Sequence, residues 1–217
     1  MRKIKMMIGV AFAAGVALCG GSAFAVDQFV IGKKLLIKNP PSGNVNNKIV
    51  YLSKDPIIAI PGSAAEDPRC VPQGGSGVGG VLVVNDAITS EGFSISLPCA
   101  GWTINTAGTL YKYRDTTGST CKVLMVKGAK LVKAVCKGTQ VAYNLDLGVD
   151  QVNVDVKVRT GTTPRQWCSS FNAGAQGCTV VRNGSDDKTY LAKNCTLGPA
   201  VCPASPSGAF IEVASLF

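Results

Sequence analysis

The stretch from Cys121 to Cys136 limits the fold more than any other, because it predicts a β-hairpin. Two runs rich in aliphatic and β-branched residues flank Gly128-Ala129, and glycine at the first turn position suits a two-residue type II′ turn. Pairing about this turn places Val126 opposite Leu131 and Cys121 opposite Cys136. The two cysteines then lie within reach of a disulfide at the open end of the hairpin.

Alternation of side chains in this register gives the hairpin one apolar face and one mixed face. The predicted apolar face, which would point to the core, holds Cys121, Val123, Met125, Val132, Ala134 and Cys136. The predicted mixed face holds Lys122, Leu124, Val126, Leu131, Lys133 and Val135. A bulge in either strand would shift this assignment.

Residues 1–25 have the pattern of a bacterial secretory signal peptide. A basic start is followed by an apolar run over residues 6–18 and by Ala23-Phe24-Ala25, which has the A-x-A form of a cleavage site. The run is too short for a transmembrane helix, so we predict export, cleavage after Ala25 and no transmembrane span. Lipidation of Cys19 is the alternative, although Leu18 precedes it where a lipoprotein signal has a small residue.

Eight of the nine cysteines follow residue 25, and an even number in an exported chain predicts four disulfides. A zinc site is a weaker explanation, because the chain has no histidine and no Cys-x-x-Cys pair. Eight cysteines allow on the order of a hundred pairings, so the connectivity beyond Cys121–Cys136 stays open. The order along the chain favours Cys70–Cys99 and a nested arrangement of Cys168–Cys202 with Cys178–Cys195.

The charge of the chain is modest. It has 22 basic and 13 acidic residues, and three of the basic ones lie in residues 1–25, so the exported part carries a net charge of +6. Aromatic residues make up only 6% of the chain, which argues against a stacking platform for nucleic acid. We therefore predict no nucleic-acid partner.

About a dozen short apolar runs, separated by turn residues, predict an all-β chain. Alternating valines over residues 152–158 are the clearest example, and residues 141–145 and 210–213 are further candidates. The pattern is typical of an antiparallel β-sandwich stapled by disulfides, and residues 26–217 are predicted to form a single domain. Residues 167–203, rich in cysteine and turns, are predicted to form a flap on this sandwich.

No catalytic group, metal site or cofactor is predicted. Ser119 and Lys122 match the S-x-x-K pattern, but that chemistry needs a helix and this motif enters a hairpin. The lack of histidine removes the usual general base. Residues 183–187 offer oxygen ligands for calcium without the EF-hand pattern, which favours a surface turn.

Three residues are candidates for ligand binding. Lys122 and Lys133 share the mixed face and could meet an anionic polymer. The alternative is a solvated strand whose lysines discourage edge-to-edge aggregation. Trp102 could stack on a sugar ring, and a role in the core is the alternative.

Several stretches together resemble a family of uncharacterised, secreted, cysteine-bearing β-rich domains from environmental bacteria. The similarity spans roughly residues 32–203, and Cys70 and Cys99 look like additions to its pattern. The stretches that carry it are Lys34-Leu35-Leu36-Ile37-Lys38, Leu52-Ser53-Lys54-Asp55-Pro56, Leu97-Pro98-Cys99-Ala100-Gly101-Trp102, Tyr111-Lys112-Tyr113, Cys121-Lys122, Ala134-Val135-Cys136-Lys137-Gly138, Trp167-Cys168 and Cys202-Pro203. The resemblance implies export and the Cys121–Cys136 and Cys168–Cys202 bridges, and it carries over no catalytic residue.

These observations favour a non-enzymatic structural or adhesive module, secreted or periplasmic, whose partner would be a surface polysaccharide or another exported protein. The second hypothesis is a module that binds carbohydrate or an anionic polymer through Lys122, Lys133 and Trp102. The third is a hydrolase whose two carboxylates are brought together by the fold.

Overall fold

A computed structural model describes residues 26–40, 44–86, 88–89, 91–115, 121–145, 149–183 and 188–202. In these ranges the chain has thirteen strands and three short 3-10 helices, at Asn44–Asn46, Val71–Gln73 and Cys99–Gly101. The predicted all-β architecture, two packed sheets with four disulfides, is confirmed. The predicted signal peptide, Cys19, Ser119 and the predicted strand at 210–213 lie outside the described residues.

Sheet A has five strands. They are β1 (Val26–Phe29), β4 (Gly80–Asp86), β5 (Gly92–Leu97), β10 (Asn153–Thr160) and β11 (Arg165–Asn172). Their order across the sheet is β1-β11-β10-β4-β5. β1 runs parallel to β11, and the other neighbours are antiparallel.

Sheet B has eight strands, all antiparallel to their neighbours. They are β2 (Gly32–Lys38), β3 (Lys48–Ser53), β6 (Trp102–Ile104), β7 (Leu110–Tyr113), β8 (Cys121–Lys127), β9 (Leu131–Lys137), β12 (Thr179–Asn183) and β13 (Thr189–Lys193). Their order is β12-β13-β2-β3-β9-β8-β7-β6.

The core lies between the two sheets, because alternation turns one apolar row of each strand inward. The three valines of β10 at 154, 156 and 158 are fully buried, as the alternation predicts. Two tyrosines of sheet B also join the sheets. Tyr51 shares a hydrogen bond of 2.8 Å with Ser169 of β11, and Tyr190 donates to the carbonyl of Phe171.

The four disulfides join the pairs that the sequence favours. Cys121–Cys136 links β8 to β9, and Cys70–Cys99 ties the long segment after β3 to the 3-10 helix after β5. Cys178–Cys195 closes the β12–β13 hairpin, and Cys168–Cys202 fastens the end of the described chain to β11. Such bridges are typical of an oxidising compartment.

The described part of the predicted flap, residues 167–183 and 188–202, is built into both sheets. These residues supply most of β11, which lies inside sheet A, together with β12 and β13 of sheet B. Residues 141–145 contain no strand, although three of their side chains fill the core. Two of their carbonyls accept hydrogen bonds from the Asn39 and Asn47 side chains instead of from a neighbouring strand.

The described residues contain no helix that is long and apolar enough to cross a membrane.

Candidate functional site

Trp102, a predicted ligand-binding residue, belongs to the core. It is 1% exposed, and its indole Nε1 donates to the Leu97 carbonyl at 3.0 Å. Its ring lies against that of Tyr113, with 5.5 Å between the centroids. A buried side chain cannot stack on a sugar, so the prediction for Trp102 was wrong and the core alternative holds.

The hairpin of Cys121–Cys136 is present, but its register differs from the prediction. The turn holds three residues between Lys127 and Leu131, and Ala129 has a left-handed backbone with φ 53°. Gly128 has no positive φ, so this is not a type II′ turn. Contacts outside the hairpin shape the turn, since Gly128 and Ala129 donate their backbone N–H groups to the carbonyls of Thr109 and Ile58.

A bulge at Lys122 restores the predicted Cys121–Cys136 pair. Between the bulge and the turn, every residue of β8 is shifted by one position, so that Val126 pairs with Val132. In the shifted part of β8 the buried residues are therefore Leu124 and Val126, where Val123 and Met125 were expected. The faces predicted for β9 are confirmed, since Val132 and its alternate neighbours are buried and Lys133 faces outward.

The two candidate lysines lie on interior strands of sheet B. β9 pairs with β3 and β8, and β8 pairs with β9 and β7. Lys122 is the inserted residue of the bulge and is exposed, while Lys133 is half-buried between the outward positions of Leu52 and Met125. Protection of an exposed sheet edge therefore does not explain them.

The register brings further lysines to the same side. On three adjacent strands, Lys38 pairs with Lys48, which pairs with Lys137. Four residues along the strand, Lys34 and Lys133 lie on either side of Leu52. We call the outward side chains of β2, β3, β8 and β9 the lysine face: Lys34, Leu36, Lys38, Lys48, Val50, Leu52, Val123, Met125, Lys127, Leu131, Lys133, Val135 and Lys137.

An aliphatic row separates the two sets of lysines. Leu36 pairs with Val50, Val50 with Val135 and Val135 with Val123, and all four side chains are half-buried. Adjacent strands are about 4.8 Å apart and alternate residues of a strand about 7 Å apart. The lysines on either side of the row are thus separated by about 14 Å.

No acidic, amide or aromatic side chain occupies any outward position of these four described strands. The ion pairs Asp67–Arg69 and Glu66–Arg165 of the described chain do not involve the lysine face. Like charges directly opposite each other destabilise a sheet. The aligned lysines therefore weaken the isolated fold, and an anionic partner would relieve their repulsion.

Asp86 of β4 and Asp155 of β10 are buried carboxylates on neighbouring strands of sheet A, and they point to opposite faces of it. Asp86 is opposite Val154 and Asp155 is opposite Asn85, so alternation turns Asp86 inward and Asp155 outward. Asp86 accepts hydrogen bonds from the backbone of Ile88 and Thr89. Two carboxylates on opposite faces of a sheet cannot flank one glycosidic bond, so this pair does not support the hydrolase hypothesis.

Burial raises the pKa of Asp155 to about 6, and this exceeds the lowering by a hydrogen bond from Ser170. The charge of Asp86 contributes to this rise in the pKa of Asp155, and the charge of Lys157 opposes it. Asp155 is only 6% exposed, which leaves no room beside it for a large substrate.

The long segment between β3 and β4 is held by ion pairs that leave its acids occupied. Asp67 accepts hydrogen bonds from Arg69 and from the Tyr111 hydroxyl, and Glu66 accepts them from Arg165 of sheet A. Burial opposes the ionisation of Glu66, but the bonds from Arg165 and from the Gly62 backbone prevail and hold its pKa below the ordinary value. These groups fasten the segment to both sheets.

No group of three or more cysteine or carboxylate side chains in the described part of the chain could hold a metal ion. The calcium candidate at 183–187 falls outside the described residues, apart from Asn183.

The sequence contains a pattern that could have predicted most of the additional lysines of this face. β2 and β9 share the pattern Lys-x-aliphatic-x-Lys, at Lys34-Leu36-Lys38 and Lys133-Val135-Lys137. This period of two places all three residues on one face of a strand. The sequence did not indicate that Lys48 completes the row, because that depends on the pairing of β3.

Comparison with known proteins found no matching family model, no matching curated protein and no matching solved structure. The resemblance to secreted domains of environmental bacteria stays a prediction.

Proposed function

We propose that this chain is an exported, non-enzymatic adhesive module that attaches through its lysine face to an anionic component of the bacterial surface or periplasm. The observation that carries the proposal is the alignment of Lys38, Lys48 and Lys137 across three interior strands with no acidic residue on the face. Four disulfides and the signal-peptide pattern of residues 1–25 support an extracytoplasmic site of action.

The attachment is electrostatic in its first step. Lysines that make no ion pair with any described residue raise the local concentration of an anionic partner, and binding relieves the repulsion between lysines that face each other at about 5 Å. The same chemistry accounts for Lys133, which was predicted from the sequence, and it does not require Trp102.

A column of immobilised polygalacturonate tests the charge of this face. We expect the native, oxidised protein to be retained at low salt and the variant Lys48→Gln/Lys137→Gln to elute at clearly lower salt. The matched control is Ser96→Glu/Ala173→Glu, which loses the same net charge at exposed positions outside sheet B. We expect this control to elute nearly with the native protein.

Equal retention of the lysine variant and the native protein would contradict the proposal, as would passage of the native protein through the column without delay. An equal loss in both variants would attribute the retention to net charge and reject a dedicated face.

A further inference from the structure

The aliphatic row of the lysine face indicates which class of anionic partner the face binds. Leu36, Val50, Val135 and Val123 form a continuous row over four strands, where an antiparallel sheet facing water ordinarily carries polar side chains. Contiguous apolar surface outside the core, rimmed by polar groups, marks contact with a protein, a ligand or a membrane.

We propose that the lysine face docks on the surface of a bilayer that contains anionic lipid, with lysines at the phosphate groups and the aliphatic row at the headgroup boundary. This inference rests on the proposed function and names the class of partner.

The chemistry of the face favours lipid over sugar. A neutral sugar presents hydroxyl groups that both donate and accept hydrogen bonds, so its sites combine donors with acceptors and often add an aromatic ring to stack on. The outward positions of these strands hold lysines and aliphatic residues, and no aromatic, amide or carboxylate side chain. Cations combined with aliphatic groups are the combination that binds anionic bilayer surfaces.

The arrangement in two dimensions also favours a surface over a linear chain. Lys38, Lys48 and Lys137 lie on one side of the aliphatic row, and Lys34 and Lys133 lie on the other, about 14 Å away. A linear polymer would follow one of these sets, whereas a layer of headgroups meets both at once.

Lysine stems allow both contacts to form together. The four methylene groups of a lysine can lie along an apolar surface while the ammonium group stays at the phosphates. Because a sheet twists by about 20–25° per strand, only the central strands of sheet B can meet a plane together. β2, β3, β9 and β8 are neighbours in that order and carry the whole face.

Cosedimentation with vesicles tests the inference on the full, oxidised chain. One set of vesicles is phosphatidylcholine alone, and the other contains equal parts of phosphatidylcholine and phosphatidylglycerol. We expect binding to the second set only. Each lysine near an anionic surface contributes on the order of 1 kcal/mol, so Lys48→Gln/Lys137→Gln should weaken binding by about thirtyfold. Ser96→Glu/Ala173→Glu should bind nearly as the native protein does.

A second variant tests the contribution of the aliphatic row to vesicle binding. Val50→Thr/Val135→Thr keeps the β-branched shape at two outward positions and removes apolar surface, so the fold should persist. Each substitution replaces one methyl group by a hydroxyl. Because these methyl groups would be only partly buried in the bilayer, we expect vesicle binding to weaken by about fivefold. Retention on polygalacturonate should not change.

The outcomes separate the two proposals. If the native protein is retained on polygalacturonate but stays in the supernatant with the anionic vesicles, the bilayer is rejected and the acidic polymer is the partner. If it binds neither, both proposals fail. If the valine variant binds the vesicles as tightly as the native protein, the aliphatic row has no role and the bilayer inference is overturned.

Discussion

Lys157 in β10 and Lys133 in β9 both lie near the centre of a sheet on the side away from the core, but their surroundings differ. Lys157 is 8% exposed, and Asp155 lies two residues away on the same face of sheet A. Burial lowers the pKa of Lys157, with the charge of Arg159 adding to this and those of Asp27 and Asp155 opposing it. Lys133 is half-buried, and the outward positions on either side of it are Leu52 and Met125.

The comparison shows that the residue type does not decide the role of an outward charge. On sheet A, cations and anions lie on one face and interact within the molecule. On the central strands of sheet B, the outward charges all have one sign. A charge that is compensated inside the chain contributes to the fold, whereas a face of one sign attracts counter-charges from outside the molecule.

Reversal of a charge on each face gives the largest predicted difference. Lys157→Glu would place a second carboxylate beside Asp155 in a buried position, so we expect a loss of about 3 kcal/mol or more in the free energy of unfolding. Lys133→Glu lies on the lysine face and should change it by less than about 0.5 kcal/mol. Urea unfolding of both oxidised variants measures this difference. A similar loss of unfolding free energy in Lys157→Glu and Lys133→Glu would show that the two faces do not differ in how far their charges are compensated within the chain.

The pH dependence of stability sharpens the description of sheet A. The pKa of Asp155 is about 6 in the folded state against an ordinary value of 3.8, so the folded chain binds more protons than the unfolded chain between these values. The stability that protonated Asp155 contributes is therefore complete below about pH 4 and is lost as the pH rises through 6. A difference of about two pH units corresponds to about 2–3 kcal/mol.

The variant Asp155→Asn isolates this contribution, because its side chain can still accept the hydrogen bond from Ser170. We expect the unfolding free energy of the native protein minus that of the variant to fall by about 2–3 kcal/mol between pH 4 and pH 7. The pKa values of Glu66 and Asp67 are lowered and act in the opposite direction, but they are common to both proteins and cancel. A difference that is constant with pH would contradict the account of Asp155.

The smallest predicted effect concerns repulsion within the lysine face. Lys48 lies directly opposite Lys38 and Lys137, so Lys48→Gln should stabilise the isolated protein by about 0.2–1 kcal/mol at low salt. The gain should vanish at high salt, because exposed charges are screened. Thermal unfolding at two ionic strengths checks this, with Lys130→Gln in the exposed hairpin turn as the control. Destabilisation at low salt would mean that Lys48 is compensated within the chain.

The hairpin shows which features of a strand can be predicted from its local sequence and which cannot. The alternation in β9 predicted its buried face correctly, because it depends only on the period of a strand. The faces of the central part of β8 were wrong, since the three-residue turn and the bulge at Lys122 each shift the chain by one residue. The turn donates hydrogen bonds to Ile58 and Thr109, which the sequence of the hairpin could not indicate.

The candidate site was only partly predictable, because it too depends on contacts between residues that are distant in the sequence. Lys133 was identified, but Trp102 was not distinguishable from an exposed tryptophan until its neighbours Leu97 and Tyr113 were known. Lys38, Lys48 and Lys137 come together only because β3 pairs with both β2 and β9.

The sequence by itself determined the all-β class, the even set of cysteines after residue 25 and the inward residues of regular strands. These depend on residue type and on a period of two, which are local properties. The tertiary structure decided which strands are neighbours, in which register they pair and which faces are covered. Those choices join residues far apart in the sequence, as in the pair of Lys48 and Lys137, and are set by burial and pairing over the whole chain. They alone turn scattered lysines into one face.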